Sequence, residues 1–261
     1  MHPSAQLRKS SIAGDSALAR KFFRYFSVRL ADTQDLRDEV YRIRYQVYCQ
    51  EFGYEPAENF PEEKEYDEFD MRSTHCLVYH KDSGHSVGCV RLVPTDPSDP
   101  QAFLPFERHC GPTLTPKHRE TMHKLSRLTF CEISRVAVLR TFRRRAKESA
   151  TQYGAVAEAV FSESEKRVFP YIAISLFLAA TVLTELTERR NVFAMMEPTL
   201  PRLLKRVGIV FEQVGSMMDY HGQRAPYFIT TDSALKSMVP EFRGLYEIIR
   251  ENLVADFEAS M

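Results

Sequence analysis

The stretch VFPYIAISLFLAATVLTEL, Val168 to Leu186, limits the fold more than any other. It nearly reaches membrane-spanning length, but Pro170 comes early and Ser175, Thr181 and Thr184 interrupt it, which predicts a core helix, Tyr171 to Arg189. Strand-like runs flank it, CEISRVAVLR at 131–140 and Val192 to Met196. A strand, a crossover helix and a second strand imply that the two strands lie parallel.

The rest of the chain extends this pattern. YFSVRLA (Tyr25 to Ala31) alternates as a strand, and Asp32 or Thr33 can cap a helix with Leu36, Val40, Ile43 and Val47 on one face, stopping near Gly53. THCLVYH and SVGCVRLVP flank the turn signal KDSG, predicting an antiparallel hairpin from Thr74 to Pro94. A Pro-rich connection leads to a short helix near Lys117 to Arg127. After the parallel pair come a helix (Leu200 to Val207), strands (Ile209 to Val214 and Tyr227 to Thr230) and a helical tail from Ser233 to Phe257 broken at Pro240 and Gly244. The expected class is α/β, a mixed central sheet with helices on both faces. The divisions are a lead-in at 1–24, a main domain at 25–231 and a helical extension at 232–261. Within the main domain, residues 141–169 have little apolar periodicity and read as a mobile insertion or a lid.

Thirty-five basic residues balance thirty-five acidic ones in 261, so no global field draws in nucleic acid or a membrane. ARKFFRYFSVR mixes Arg20, Lys21, Arg24 and Arg29 with Phe22, Phe23 and Phe26; it reads as an opening strand with basic flanks or as a peripheral membrane contact. The five cysteines lack zinc or redox spacing and read as reduced thiols. With no secretory signal pattern at the start, the expectation is a cytoplasmic protein. The eight histidines show no metal spacing, and His75, His80 and His85 are expected at the surface or an edge. No glycine loop that would cradle phosphate is present.

Charge inside apolar strands is the second informative feature. Glu132, Arg135 and Arg91 sit in runs that otherwise read as buried, which requires ionic partners or a wet cleft. Alternation puts Glu132 and Ser134 on one face and Arg135 on the other, unless a bulge intervenes. Asp67 and Asp70 lie in an acidic run that reads as a solvated loop or as partners for Arg44 and Arg91.

RYQVY at Arg44, EYDEFD at Glu65, VGCVRLVPT at Val87 and EISRVAV at Glu132 together resemble the acyl-homoserine-lactone synthases and their N-acyl amino acid synthase relatives. NVFAMMEPTLPRLLKRVGIVFEQVG and YHGQRAPYFI resemble the acyltransferases associated with PEP-CTERM and exosortase systems. The similarity runs from about Ser27 to Thr231 and implies a GNAT-like acyl-CoA N-acyltransferase fold. It also implies an ionic cluster of Arg44, Asp67, Asp70, Arg91 and Arg135 on the amine-acceptor side, with Glu132 as the base. The implied reaction moves a long-chain acyl group from a thioester to the amine of an amino acid or similar small amine, with no bound cofactor and no metal.

The chain also departs from these relatives. It lacks tryptophan and has Phe52 and Tyr54 where homoserine-lactone synthases typically carry one, which favours an ordinary amino acid over S-adenosylmethionine as acceptor. RTFRRRA, after the central strand, has no glycine to wrap a pyrophosphate. Arg143, Arg144 and Arg145 are instead expected to meet the phosphopantetheine phosphate or acidic side chains of an acyl carrier protein, which is favoured over acyl-CoA. Phe169, Phe177 and Val182 are candidates for the acyl tunnel. The alternatives are homoserine-lactone synthesis from S-adenosylmethionine and a non-catalytic acyl-binding module.

Overall fold

The computed structural model describes residues 16–260 apart from 97, 100, 101 and 144–160. Helix α1 (Ala17–Tyr25), where a polar lead-in was expected, starts at Ser16, whose hydroxyl accepts the amide of Ala19. It feeds straight into β1 (Phe26–Leu30), and Phe22 and Phe26 are fully buried. These two rings are core residues, not a membrane-facing surface.

Helix α2 (Gln34–Arg44) is capped by Thr33, whose Oγ1 accepts the Leu36 amide at 3.3 Å. It then widens into a π-helical turn, Tyr45–Glu51, and ends just before Gly53, which has φ 62°. Strands β2 (Thr74–His80) and β3 (His85–Pro94) form the expected hairpin, with a register irregularity at Val78/Tyr79. Two short helices follow, α3 (Pro105–Cys110) and α4 (Pro116–Lys124). The first of these lies in the stretch read as a plain connection. Beyond them run β4 (Phe130–Val138), α5 (Glu163–Lys166), α6 (Pro170–Leu186), β5 (Asn191–Met196) and α7 (Thr199–Lys205). The chain closes with β6 (Glu212–Gln213), β7 (Met218–Asp219), β8 (Gln223–Thr230), α8 (Thr231–Ser237) and α9 (Pro240–Ala259).

The strands form one mixed sheet in the order β1-β2-β3-β4-β5-β8-β6, with β7 added beside β8. As the crossover helix requires, β4 and β5 are parallel; the other described neighbours are antiparallel. Helices α6 and α9 cover one face, packing on Val78, Val90, Leu92, Cys131 and Ile133. Helix α2 and the π-helical turn after it cover the other through Val40, Ile43 and Val47 against Leu77, Cys89 and Ala137.

Helix α6 is apolar all round because it is buried all round. Ile172, Leu176, Leu178, Val182 and Leu183 have no exposure, and each such side chain contributes about 2 kcal/mol. The polar residues within it are satisfied locally. Ser175, Thr181 and Thr184 donate to the carbonyls of Ile172, Phe177 and Thr181 at 2.7, 3.0 and 2.7 Å. No helix among the described residues is long and apolar enough to cross a membrane.

Three other expectations need correction. The tail does not break at Gly244: Pro240 is the first residue of α9, where a missing N–H costs nothing, and Gly244 lies inside the helix. A Cβ at Gly244 would stand 2.4 Å from the Cβ of Ser16, so the glycine admits the start of α1. The strand expected at Ile209 to Val214 shrinks to β6, because the Ile209 amide is held by the Leu204 carbonyl at 3.0 Å and its side chain enters the core. His75 and His80, expected at an edge, are buried at 1% and 2% exposure. His80 bonds Glu165 at 2.6 Å and Ser83 at 2.8 Å, and its ligand atoms lie within 4.8 Å of those of Asp82 and Glu165, a grouping invisible in the spacing.

Candidate active site

Parallel pairing of β4 with β5 covers only Phe130↔Asn191, Cys131↔Val192 and Glu132↔Phe193. Both strands continue, β4 to Val138 on β3 and β5 to Met196 on β8, without pairing to each other. The sheet therefore opens at Glu132. A pocket open to solvent occupies this split, and Glu132, Ser134, Arg135, Arg91, Asp67 and Met195 are in its lining.

Glu132 and Arg135 share the cavity because β4 bulges. Cys89 pairs with Ala137 and Arg91 with Ser134, so β4 carries one residue more than β3 between these pairs. Arg135 takes the strained φ of 51° at this point. The Val136 carbonyl accepts a hydrogen bond from the Tyr48 hydroxyl at 3.0 Å. Tyr48 belongs to the π-helical turn after α2, and its ring lies 5.4 Å beneath the Arg135 guanidinium. A widened helix and a bulged strand thus fit one another, and π-helical turns recur at functional sites for this kind of re-aiming.

Behind the cavity lies a network of three arginines and four carboxylates. Arg44, fully buried, donates from Nε to Glu65 at 2.5 Å and through both Nη atoms to Asp70 at 2.6 and 3.0 Å. Arg91 donates to Asp67 at 2.6 Å and Ser134 at 3.1 Å, and its Nη1 lies 3.1 Å from Asp70. Arg135 reaches Glu65 at 3.1 Å, Glu55 at 3.2 Å and Asp67 at 3.4 Å. Burial pushes Asp70 and Glu65 up, but Arg44, with Arg91 at Asp70 and Arg135 at Glu65, outweighs it and holds both below the usual carboxylate range. The acidic run is solvated only in part: Glu62, Glu63 and Glu68 are exposed, whereas Glu65 and Asp70 are 1% and 4% exposed. Glu65, given no role from sequence, joins Arg44 to Arg135.

His75, opposite Arg91 in the hairpin, faces the same network. Burial, with Arg44 and Arg91 adding to it against Asp70, drops its imidazole to about 3, so the ring is neutral.

Glu132 differs from the other carboxylates. It is 3% exposed, and its Oε2 accepts the Phe106 amide, in the first turn of α3, at 2.6 Å. Burial raises its carboxyl to about 8, a rise that the Phe106 amide, Arg91 and Arg135 only partly offset. A group poised near 8 exchanges a proton readily around neutral pH.

The site residues named from sequence divide into those the fold gathers and those it does not. Arg44, Asp67, Asp70, Arg91 and Arg135 form one network, and Glu132 faces the same cavity. Arg143 is engaged by Glu51 and sits 5.0 Å over the Phe52 ring; Arg144 and Arg145 lie outside the described residues. Phe177 lines a second, small apolar pocket with Ile133, Ala180, Val192 and Ile229. Phe169 instead packs with Phe26 and Phe142, and Val182 is sealed in the core. The sequence did not point to Tyr48, His109, Tyr220, His221 or Arg224, all in the lining of the split.

Residues 43–151 match the family model described as an acetyltransferase (GNAT) domain. No curated protein matches the chain. Among solved structures, TofI in complex with an inhibitor and MTA covers 82% of this chain and 98% of its own at 17% identity, TM-score 0.55. FeeM, an N-acyl amino acid synthase from uncultured soil microbes, covers 82% and 95% at 14% identity, TM-score 0.54. MesI, a CoA-dependent acyl-homoserine lactone synthase, covers 84% and 95% at 18% identity, TM-score 0.54. The chain thus has the fold of the GNAT acyltransferases and, over residues 43–151, their sequence signature.

The raised carboxyl of Glu132 makes a signed prediction. Between its unfolded value, about 4.3, and its folded value near 8, the unfolded chain sheds a proton that the folded chain keeps, so stability falls with rising pH and levels off above about 8. Glu132→Gln, which keeps an acceptor for the Phe106 amide, is expected to gain on wild type across that window, by at most about 1.4 kcal/mol per pH unit. Urea unfolding of both proteins from pH 5 to 9 measures the gap; a gap that does not change with pH would contradict it.

Proposed function

We propose that the protein is an N-acyltransferase that moves a long-chain acyl group from a thioester to the amine of an amino acid or similar small amine. The observation that carries this reading is the opening of the sheet at Glu132, beside a carboxyl poised near 8 and between a polar cavity and an apolar one. The charged cavity suits an amine. The apolar cavity, behind Ile133, suits an acyl tail, at about 0.8 kcal/mol for each buried methylene.

In this mechanism the acceptor binds as an amine with the thioester carbonyl in the split. Glu132, ionised, takes a proton from the attacking nitrogen directly or through water as the C–N bond forms. The C–S bond then breaks, and the thiolate leaves and is protonated. Backbone N–H groups of β4 beyond Glu132, not engaged by β5, are candidates to stabilise the oxyanion, an effect worth roughly 3 kcal/mol in comparable sites. The Arg44 network holds Arg91, Ser134 and Arg135 in place around the cavity, so most of the rate comes from positioning.

For the donor we favour acyl carrier protein over acyl-CoA. The turn after β4, Arg140–Phe142, has no glycine that would let backbone amides close around a pyrophosphate. The second-half sequence motifs favour the N-acyl amino acid synthase type associated with PEP-CTERM and exosortase systems. A cytoplasmic location goes with this reading.

Two outcomes follow. Glu132→Gln is expected to lower kcat/KM by about 10²- to 10⁴-fold and to abolish its rise with pH towards about 8, read by discontinuous amide-product assay. Turnover within a few fold of wild type would remove Glu132 as the base. Ala180→Leu, which fills the apolar cavity from α6, is expected to shift preference to acyl chains two or more carbons shorter. An unchanged chain-length profile would place the tail elsewhere.

A further inference from the structure

A cluster of titratable side chains away from the split has no part in the chemistry above. His80 closes β2, Asp82 sits in the turn that follows, and Glu165 comes from α5; one ligand atom of each lies within 4.8 Å of the others. His80 and Glu165 are buried at 2% and 5% exposure, whereas Asp82 faces solvent. The register puts His85 opposite His80 in the hairpin, so a second imidazole stands on the same face. From His75, which faces the Arg44 network, β2 runs about 17 Å to His80, so the cluster is separate from the network.

Its charge balance differs from that of the Arg44 network. There both buried carboxylates, Glu65 and Asp70, have guanidinium partners. Here, among the described residues, no lysine or arginine pairs with Glu165 or Asp82, and Lys81, between His80 and Asp82 in sequence, turns its ammonium to the Phe23 carbonyl. Two carboxylates therefore converge on one imidazole with no fixed cation to offset them, which is costly for the buried one. The imidazole itself is held in place. The rings of Phe26, Phe142 and Phe161 lie 5.3, 5.4 and 5.6 Å from it, and Ser83 Oγ meets Nδ1 at 2.8 Å while Nε2 points at Glu165 at 2.6 Å. Support of one ring nitrogen by an oxygen partner is how metal-bound histidines are oriented.

We propose that His80, Asp82 and Glu165 form a binding site for a divalent transition-metal ion of the zinc class, which clips α5 to the β2–β3 turn. An imidazole with two carboxylates suits such ions, whereas magnesium and calcium favour oxygen ligands alone. The Ser83 amide, directed at Nδ1 from 3.3 Å, puts the ring proton on Nε2 in the metal-free protein. As the ion takes Nε2, that proton moves to Nδ1, where the Ser83 hydroxyl accepts it, and water completes the coordination. Donors on one tetrahedral zinc stand about 3.3 Å apart, so Glu165 retreats by under about 1 Å and the exposed Asp82 closes in. The site does not depend on the acyl-transfer reading. Its effect is on stability, because an ion held only by the folded chain shifts unfolding by mass action.

The test is calorimetric titration of tag-free, EDTA-treated and desalted protein with zinc chloride, for wild type, Asp82→Asn and His80→Gln. Wild type is expected to bind one zinc ion with a Kd below about 10 μM and to melt at higher temperature as zinc is added. Each substitution should weaken binding at least about 10-fold. X-ray absorption of the zinc-loaded protein should show nitrogen and oxygen ligands. No binding by wild type, an affinity unchanged in Asp82→Asn, magnesium bound as tightly as zinc, or sulfur ligands, which would place the ion on cysteines, would each overturn the site. Melting curves in EDTA identify any variant that fails to fold; should His80→Gln do so, the exposed change Asp82→Asn and the ligand spectrum decide.

Discussion

The buried pairing of Arg44 with Glu65 and Asp70 is the interaction on which the rest of the site depends. A guanidinium with no exposure is tolerable only if its donors are met, and here Nε and both Nη atoms are met by two carboxylates that burial alone would neutralise. Each carboxylate then reaches a second arginine, Glu65 to Arg135 and Asp70 to Arg91. Removing one member would strand another charge in the interior, typically costing 3–5 kcal/mol. The network thus fixes α2, the acidic segment, the hairpin and β4 relative to one another.

Its second consequence is electrostatic. Because the arginines next to the split are largely compensated by their own carboxylates, Glu132 gains little from them and burial dominates, leaving its carboxyl near 8. A few residues away, Asp70 is held far below the usual range by direct contact with the same set of arginines. Carboxylates separated by environment in this way take different roles, one structural and one in proton transfer. The bulge at Arg135 makes the arrangement compact, since it brings Arg135 into the cavity that Glu132 and Ser134 line.

Much of the fold was legible because it follows local rules. Thr33 capped its helix, KDSG turned its hairpin, and the apolar run at Val168 forced β4 and β5 to be parallel. The charges in β4 announced a cleft because the alternative was a large desolvation cost. What stayed hidden came from long-range contacts that leave no periodic signature. Glu65 looks like its exposed neighbours until Arg44 and Arg135 converge on it. The Phe106 amide that meets Glu132 comes from a six-residue helix in a Pro-rich segment, and Arg224 enters the lining at the start of β8, opposite the two-residue strand β7. Gly244, which reads as a helix breaker, is explained only by the approach of Ser16. The arginines after β4 were singled out for charge alone, yet Arg143 is taken up by Glu51.

The central claim is that the opening of β4 from β5 at Glu132 is where the thioester and the amine meet. A crystal structure with a bound N-acyl amino acid product tests it most directly. The account predicts the amide beside Glu132 in the split, with the acyl tail passing between the strands to Phe177 and Ala180. An amide remote from Glu132, or a tail lying along the outer face of the sheet with that apolar cavity unfilled, would contradict it.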